Sequence, residues 1–186
     1  MPKRRKTRKP LPAPPFVVSP SPEAVFMHLE SEADVIYLYD EGHRAVLSEV
    51  VAETGEEAGA FWETESYKPL AQRGLILALF NTARSREEGF TGFVYVGKPA
   101  APRLLPKKPL NRTQRGRLDL PTGRLRIETY TGLSLGPEEA EDAGINIAVP
   151  PGIYEVTLSQ AKPADTGDPE AWPVLYDYVA LTPRTG

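Results

Sequence analysis

Residues 116–130 read GRLDLPTGRLRIETY, and residues 145–158 read INIAVPPGIYEVTL. In both, apolar side chains recur at every second position. The runs are broken by Pro-Thr-Gly at 121–123 and Pro-Pro-Gly at 150–152. A period of two belongs to an extended chain, whose successive side chains point to opposite faces, and Pro and Gly together reverse such a chain. Leu118 and Leu120 share one face. Leu125, Ile127 and Thr129 take one side of the next run, with Arg124, Arg126, Glu128 and Tyr130 on the other. Ile145, Ile147 and Val149 alternate inward, and Tyr154, Val156 and Leu158 continue a buried face after the turn. The grammar is that of an antiparallel sheet with one core side and one solvent side. Between the two runs, residues 137–142 (PEEAED) suit one turn of helix, with Pro at its first position and acids at its positive end.

The rest of the chain extends this pattern. Residues 24–29 are a short apolar run, and residues 33–39 (ADVIYLY) are rich in β-branched and aromatic side chains. Asp40-Glu41-Gly42 reads as a turn. Residues 44–52 fit either a strand paired back from that turn or a short helix with Leu47, Val50 and Val51 on one face. Strand is the expectation, with the helix left open. Residues 58–65 are the best helical candidate. Residues 74–80 (GLILALF) are almost wholly apolar after Gly74 and read as a buried central strand; residues 90–96 (FTGFVYV) make another. Residues 98–115 hold four prolines and six basic residues and read as a long surface connection. Neither half of the chain has enough strands to close a core alone. Residues 174–182 make a last strand. Eight or nine strands with little helix predict a mainly β protein, an antiparallel β-sandwich over residues 23–186.

The chain of 186 residues is 40% hydrophobic, with 20 prolines and 15 glycines, which favours short strands and turns over long helices. There is no cysteine, which excludes disulfides, thiolate metal sites and cysteine nucleophiles. The net charge of −3 hides an asymmetry. Lys3, Arg4, Arg5, Lys6, Arg8 and Lys9 supply six positive charges, and without them 16 basic residues face 25 acidic ones, a net −9. Residues 1–22, with seven prolines, form a basic extended arm that predicts at most a weak contact with nucleic acid or another acidic surface. The acidic body argues against a DNA-groove binder. Prolines interrupt the only candidate for a leader's apolar segment, and no run of 18 apolar residues exists; a soluble, cytoplasmic protein is the expectation.

Chemical motifs are weak throughout. Gly92 to Lys98 has the spacing of a phosphate-binding loop, but its interior is Phe-Val-Tyr-Val and Pro99 stands where Ser or Thr is required. Asp165-Thr166-Gly167 is a single triplet where an acid protease needs two. His28 and His43 are the only histidines, at no recognised ligand spacing. No catalytic residue, metal site or cofactor is predicted. Site expectations fall instead on the outward side of residues 124–130 and the loop that follows: Arg124, Arg126, Glu128, Tyr130, Glu138, Glu139, Glu141 and Asp142.

Gly123 to Glu128, the Val149-Pro150-Pro151-Gly152-Ile153-Tyr154 turn, and the strand from Glu155 to Leu158 together resemble competence protein J, a bacterial intracellular inhibitor of a nuclease of DNA uptake. Residues 62–80 sit at a similar place in the order, and the resemblance covers about the last two thirds of the chain. It implies a non-catalytic inhibitor or immunity-like module that binds a protein, such as a nuclease or toxin, by surface complementarity. No individual residue carries a role over. The alternative is a structural component of a phage or secretion assembly, its basic arm contacting a neighbouring subunit or nucleic acid.

Overall fold

A computed structural model describes residues 24–29, 35–55, 58–80, 90–97, 113–129, 132–133, 144–161 and 176–184. The basic arm, the acidic loop at 134–143, Tyr130 and most of the Pro-rich connection lie outside them. Among the described residues there are nine strands: β1 (Ala24–Leu29), β2 (Val35–Asp40), β3 (Ile76–Phe80), β4 (Phe90–Val96), β5 (Gln114–Leu120), β6 (Arg124–Thr129), β7 (Gly144–Ala148), β8 (Gly152–Ala161) and β9 (Tyr176–Pro183). They build a five-stranded sheet, ordered β1-β4-β9-β8-β5, and a four-stranded sheet, ordered β3-β2-β6-β7. The mainly β, two-sheet expectation holds, with one departure from an antiparallel sandwich: β4 and β9 run parallel.

The inter-sheet core follows the alternation. Ile36, Leu38, Leu79, Leu125, Ile127 and Ile147 of the smaller sheet meet Met27, Phe90, Val94, Leu118, Val156, Leu158, Val179 and Leu181 of the larger one. Each fully buried aliphatic side chain is worth about 1.5–3 kcal/mol in transfer free energy. The Pro150-Pro151-Gly152 turn is fixed by the Tyr154 hydroxyl, which donates to the Pro150 carbonyl.

Residues 44–52 are not a strand. They belong to helix α1 (Arg44–Thr54), entered through a 3-10 turn at Glu41–His43 and closed by Gly55 at φ +67°. Two features decide against the hairpin. Asp40 caps the 3-10 turn by accepting from the Gly42 N–H at 2.7 Å, which turns the chain off the sheet. Leu47 and Val51, four apart, then both point at the smaller sheet's outer face. The helical expectation for residues 58–65 is met by a 3-10 segment, Ala58–Glu63, followed by α2 (Tyr67–Arg73). Phe61 and Leu70 join Leu47 and Val51 over Val35, Tyr37, Tyr39, Ile76 and Ala78 in a second core. The described residues therefore form three layers: sheet, sheet and helices.

β3 is buried as expected, but it ends its sheet rather than occupying the centre. Helices cover one face and the other sheet covers the other, so a continuous apolar run does not require a central place. Its outer edge is capped by side chains. The Gln114 amide receives the Phe80 N–H at 2.9 Å and donates to the Phe80 carbonyl at 2.6 Å, while the Ala78 N–H donates to the Tyr67 hydroxyl at 2.9 Å. The Asp119 N–H donates to the Gly74 carbonyl at 2.8 Å. The Gln114 and Asp119 bonds fasten the β3 side of one sheet to β5 of the other, and the Tyr67 bond fastens it to α2.

Candidate functional site

The most concentrated group of ionisable side chains lies between β6 and α1. β6 pairs with β2 so that Tyr39 stands opposite Arg126 and Tyr37 opposite Glu128. Arg126 and Glu128, two apart on one strand, share the face that α1 covers. They are 2% and 0% exposed. The expectation that they line a solvent surface is overturned. Alternation correctly separated the two faces of β6, but both faces are buried, one against the larger sheet and one beneath helices.

Glu128 is held by three donors. The Tyr39 hydroxyl donates to Oε1 at 2.7 Å; Arg126 Nε donates to Oε2 at 3.0 Å, and Arg44 Nη2 to the same oxygen at 3.4 Å. Arg44 Nη2 also donates to the Gly132 carbonyl at 3.0 Å, and its Nη1 lies 3.6 Å from Glu41 Oε2. Among the described residues, two guanidinium groups thus face two carboxylates. The fit is close on the remaining sides. A Cβ on Gly132 would lie 2.4 Å from Glu128 Oε2, and one on Gly144 would lie 2.5 Å from Glu128 Cβ. Burial, and then the neighbouring Glu128 charge, push the Tyr39 phenol far above its ordinary range, so it stays a proton donor to the carboxylate.

A second carboxylate closes the adjoining corner. Asp40 Oδ1 accepts from the Thr122 hydroxyl at 2.5 Å and Oδ2 from the Thr122 N–H at 2.9 Å, in addition to the Gly42 N–H. Burial raises the Asp40 pKa, but the hydrogen bonds from Thr122 and Gly42 and the nearby His43 outweigh it, and the net direction is downward. Asp40 thereby ties the start of the helical layer to the turn between β5 and β6.

Chemically, the Glu128 carboxylate is saturated, whereas Glu41 Oε2, 3.6 Å from Arg44, and His43 Nδ1 are buried without a hydrogen-bond partner among the described residues. A general base needs a carboxylate lone pair facing substrate; the lone pairs of Glu128 face Tyr39, Arg126 and Arg44. The cluster anchors α1 to the sheet. Of the other expected site residues, Arg124 is exposed on β6, and its Nε is 3.4 Å from the Thr122 hydroxyl. Tyr130, Glu138, Glu139, Glu141, Asp142 and the arm's Lys3, Arg4, Arg5, Lys6, Arg8 and Lys9 lie outside the described residues. Among the described residues no group of three His, Cys, Asp or Glu side chains is placed to hold a metal.

The sequence reading places Tyr39 only in a strand and Asp40 only in a turn, and gives Arg44 and Thr122 no role. A signal for the pair existed: opposite charges two apart on one strand lie on one face, close enough to pair.

The exposed side of the helical layer differs in character. Val46, Glu49 and Glu53 lie on the solvent face of α1 at helical spacing, and Val46 is 54% exposed. Glu63 and Glu65 add two more exposed acids, the latter paired with Lys68 at 2.5 Å.

No family model matches the chain, and no curated protein matches it. Among solved structures, a protein described as crocagin biosynthetic gene J aligns over 88% of this chain and 97% of its own, at 15% identity and a TM-score of 0.47, a likeness too slight to carry an argument.

Proposed function

We propose that the chain is a non-catalytic protein-binding module, inhibitor- or immunity-like, that acts by surface complementarity on a partner with a cationic face. The observation that carries this reading is the outer surface of the helical layer. There an exposed aliphatic side chain, Val46, sits beside Glu49 and Glu53, with Glu63 and Glu65 on the same layer. An acidic surface around an apolar contact suits a protein whose own groove is built to hold a polyanion, such as a nuclease, and steers it to fast association. The resemblance to competence protein J supports the same class of partner. The interior charges support it differently: Glu128, Arg126 and Arg44 satisfy one another and hold α1 as a rigid platform.

The test uses the full chain as bait in lysate of its source cells at low and high salt, beside a Val46→Asp/Glu49→Lys/Glu53→Lys variant of verified fold. A partner held by the wild type and released by both the variant and salt supports the proposal. Identical captures by the two proteins refute it.

A further inference from the structure

The two ends of the four-stranded sheet are finished differently. At the β3 end, side chains from Gln114 and Tyr67 occupy the outward-facing backbone groups of Phe80 and Ala78. At the other end the sheet stops at β7. The Val149 N–H donates to the Gly123 carbonyl at 2.8 Å, which turns the Val149 backbone toward the β6 side as in a hydrogen-bonded pair, while the Gly123 N–H goes to Leu120. Such pairs alternate along an antiparallel ladder. In the observed register, Ile147 opposite Leu125 and Ile145 opposite Ile127 therefore bond to β6. Gly144, Asn146 and Ala148 direct their N–H and C=O groups to the free edge, where no partner is present among the described residues.

Natural sheets blunt such an edge with lysine, proline, a bulge or a covering side chain. β7 reads Gly-Ile-Asn-Ile-Ala and has no charge or proline. Its core-facing Ile145 is only partly buried, and Val25 on β1, the end strand of the other sheet, is 37% exposed. The β3 side of the sandwich is fastened; on the β7 side the smaller sheet ends with four strands against five.

We infer that the free edge of β7 is a self-association site, at which a second copy of this chain adds its own β7 antiparallel and joins two four-stranded sheets into one. Self-complementarity selects this occupant. A two-fold axis at Asn146 sets Asn146 against Asn146, Gly144 against Ala148 and Ile145 against Ile147. No like charges oppose, and about six backbone hydrogen bonds form from groups already pointing outward. The isoleucine pairs continue the inter-sheet core across the axis. Five residues make a short contact, well below a standard interface, so association belongs in the range of about 10 µM to 1 mM. This edge is distinct from the outer face of α1, and the inference does not depend on the proposed function.

The experiment is sedimentation equilibrium of the full chain over that range, with three variants at one position. Asn146→Pro removes only an N–H that faces the free edge, a place where a strand tolerates proline. Asn146→Lys sets two like charges against each other across the axis, and Asn146→Glu does the same with opposite sign. The wild type is expected to dimerise. Each variant alone should be monomeric with an unchanged urea midpoint, and an equimolar Lys/Glu mixture should dimerise again. A wild type that stays monomeric to about 1 mM, or dimers that persist in both Asn146→Pro and Asn146→Lys, would overturn the inference.

Discussion

Replacing Glu128 by alanine tests whether the buried cluster holds the helical layer in place. The substitution removes a fully buried carboxylate that accepts from Tyr39, Arg126 and Arg44. Arg126, 2% exposed, would keep its charge without this counter-ion. Breaking a buried ion pair by deleting one partner costs about 3–5 kcal/mol, chiefly through the charge left behind. The Tyr39 hydroxyl loses its acceptor as well, which alone costs about 1–3 kcal/mol when the group stays dry. These contributions overlap, and relaxation of Arg44, whose side chain is 12% exposed, offsets part of them. A net loss of about 4 kcal/mol is the expectation.

The assay is urea unfolding followed by far-UV circular dichroism and by the fluorescence of Trp62, which packs edge-on against Phe80 at 4.7 Å between ring centroids. With a slope near 2 kcal/mol per molar urea, the midpoint should fall by about 2 M. Glu128→Gln keeps the shape and an acceptor oxygen and should cost markedly less. Tyr39→Phe removes one hydroxyl and should cost about 1 kcal/mol. In a double-mutant cycle, Tyr39→Phe should add far less in the Glu128→Ala background than in the wild type, because the two groups share a bond. A midpoint shift under about 0.5 M for Glu128→Ala would place the carboxylate among exposed ion pairs, worth about 0–1 kcal/mol, and refute the anchoring role.

Two further outcomes follow from the joints between layers. Because the Asp40 pKa is depressed in the folded chain, its carboxylate contributes stability above the ordinary carboxylate value near 4, and that contribution disappears as pH falls through the lower folded value. The stability gap between wild type and Asp40→Asn, measured by urea titration, should therefore be widest near neutral pH and narrow below about pH 4; a gap constant with pH would contradict this. Gln114→Ala should cost about 1–2 kcal/mol and accelerate hydrogen exchange at the Phe80 amide, while the Leu79 amide, which faces β2, stays protected.

The alternation in residues 116–158 was enough to give strands, turns and the inter-sheet core, because period two fixes which side chains share a face whatever lies beyond them. Leu125, Ile127, Ile147, Val156 and Leu158 are all where that reading puts them. What alternation does not encode is the identity of the layer on the other face. A polar side chain on a strand signals water only when water is there. Over Arg126 and Glu128 there is a helix, placed by Asp40 and Gly42 more than eighty residues earlier. The same omission turned residues 44–52 into a strand. Leu47, Val50 and Val51 fit both periods over so short a span, and a contact that holds the helix on the sheet, Arg44 to Glu128, joins residues 84 apart.

The two misreadings are thus one physical fact seen from both ends. If residues 44–52 were a strand, Arg126 and Glu128 would be open to solvent, their pairing worth little. With those residues in α1, the same two side chains lose water, so Arg126 and Glu128 must pair with each other, and the Glu128 carboxylate takes further donors from Arg44 and the Tyr39 hydroxyl. The helix makes the cluster necessary, and the cluster fixes where the helix sits. This coupling also separates roles across the molecule. The charges that converge are consumed in holding the layers together. Under the two proposals, recognition falls to parts that this joint positions but does not use: the outer side of α1, with Val46, Glu49 and Glu53, and the β7 edge around Asn146, which has no partner among the described residues.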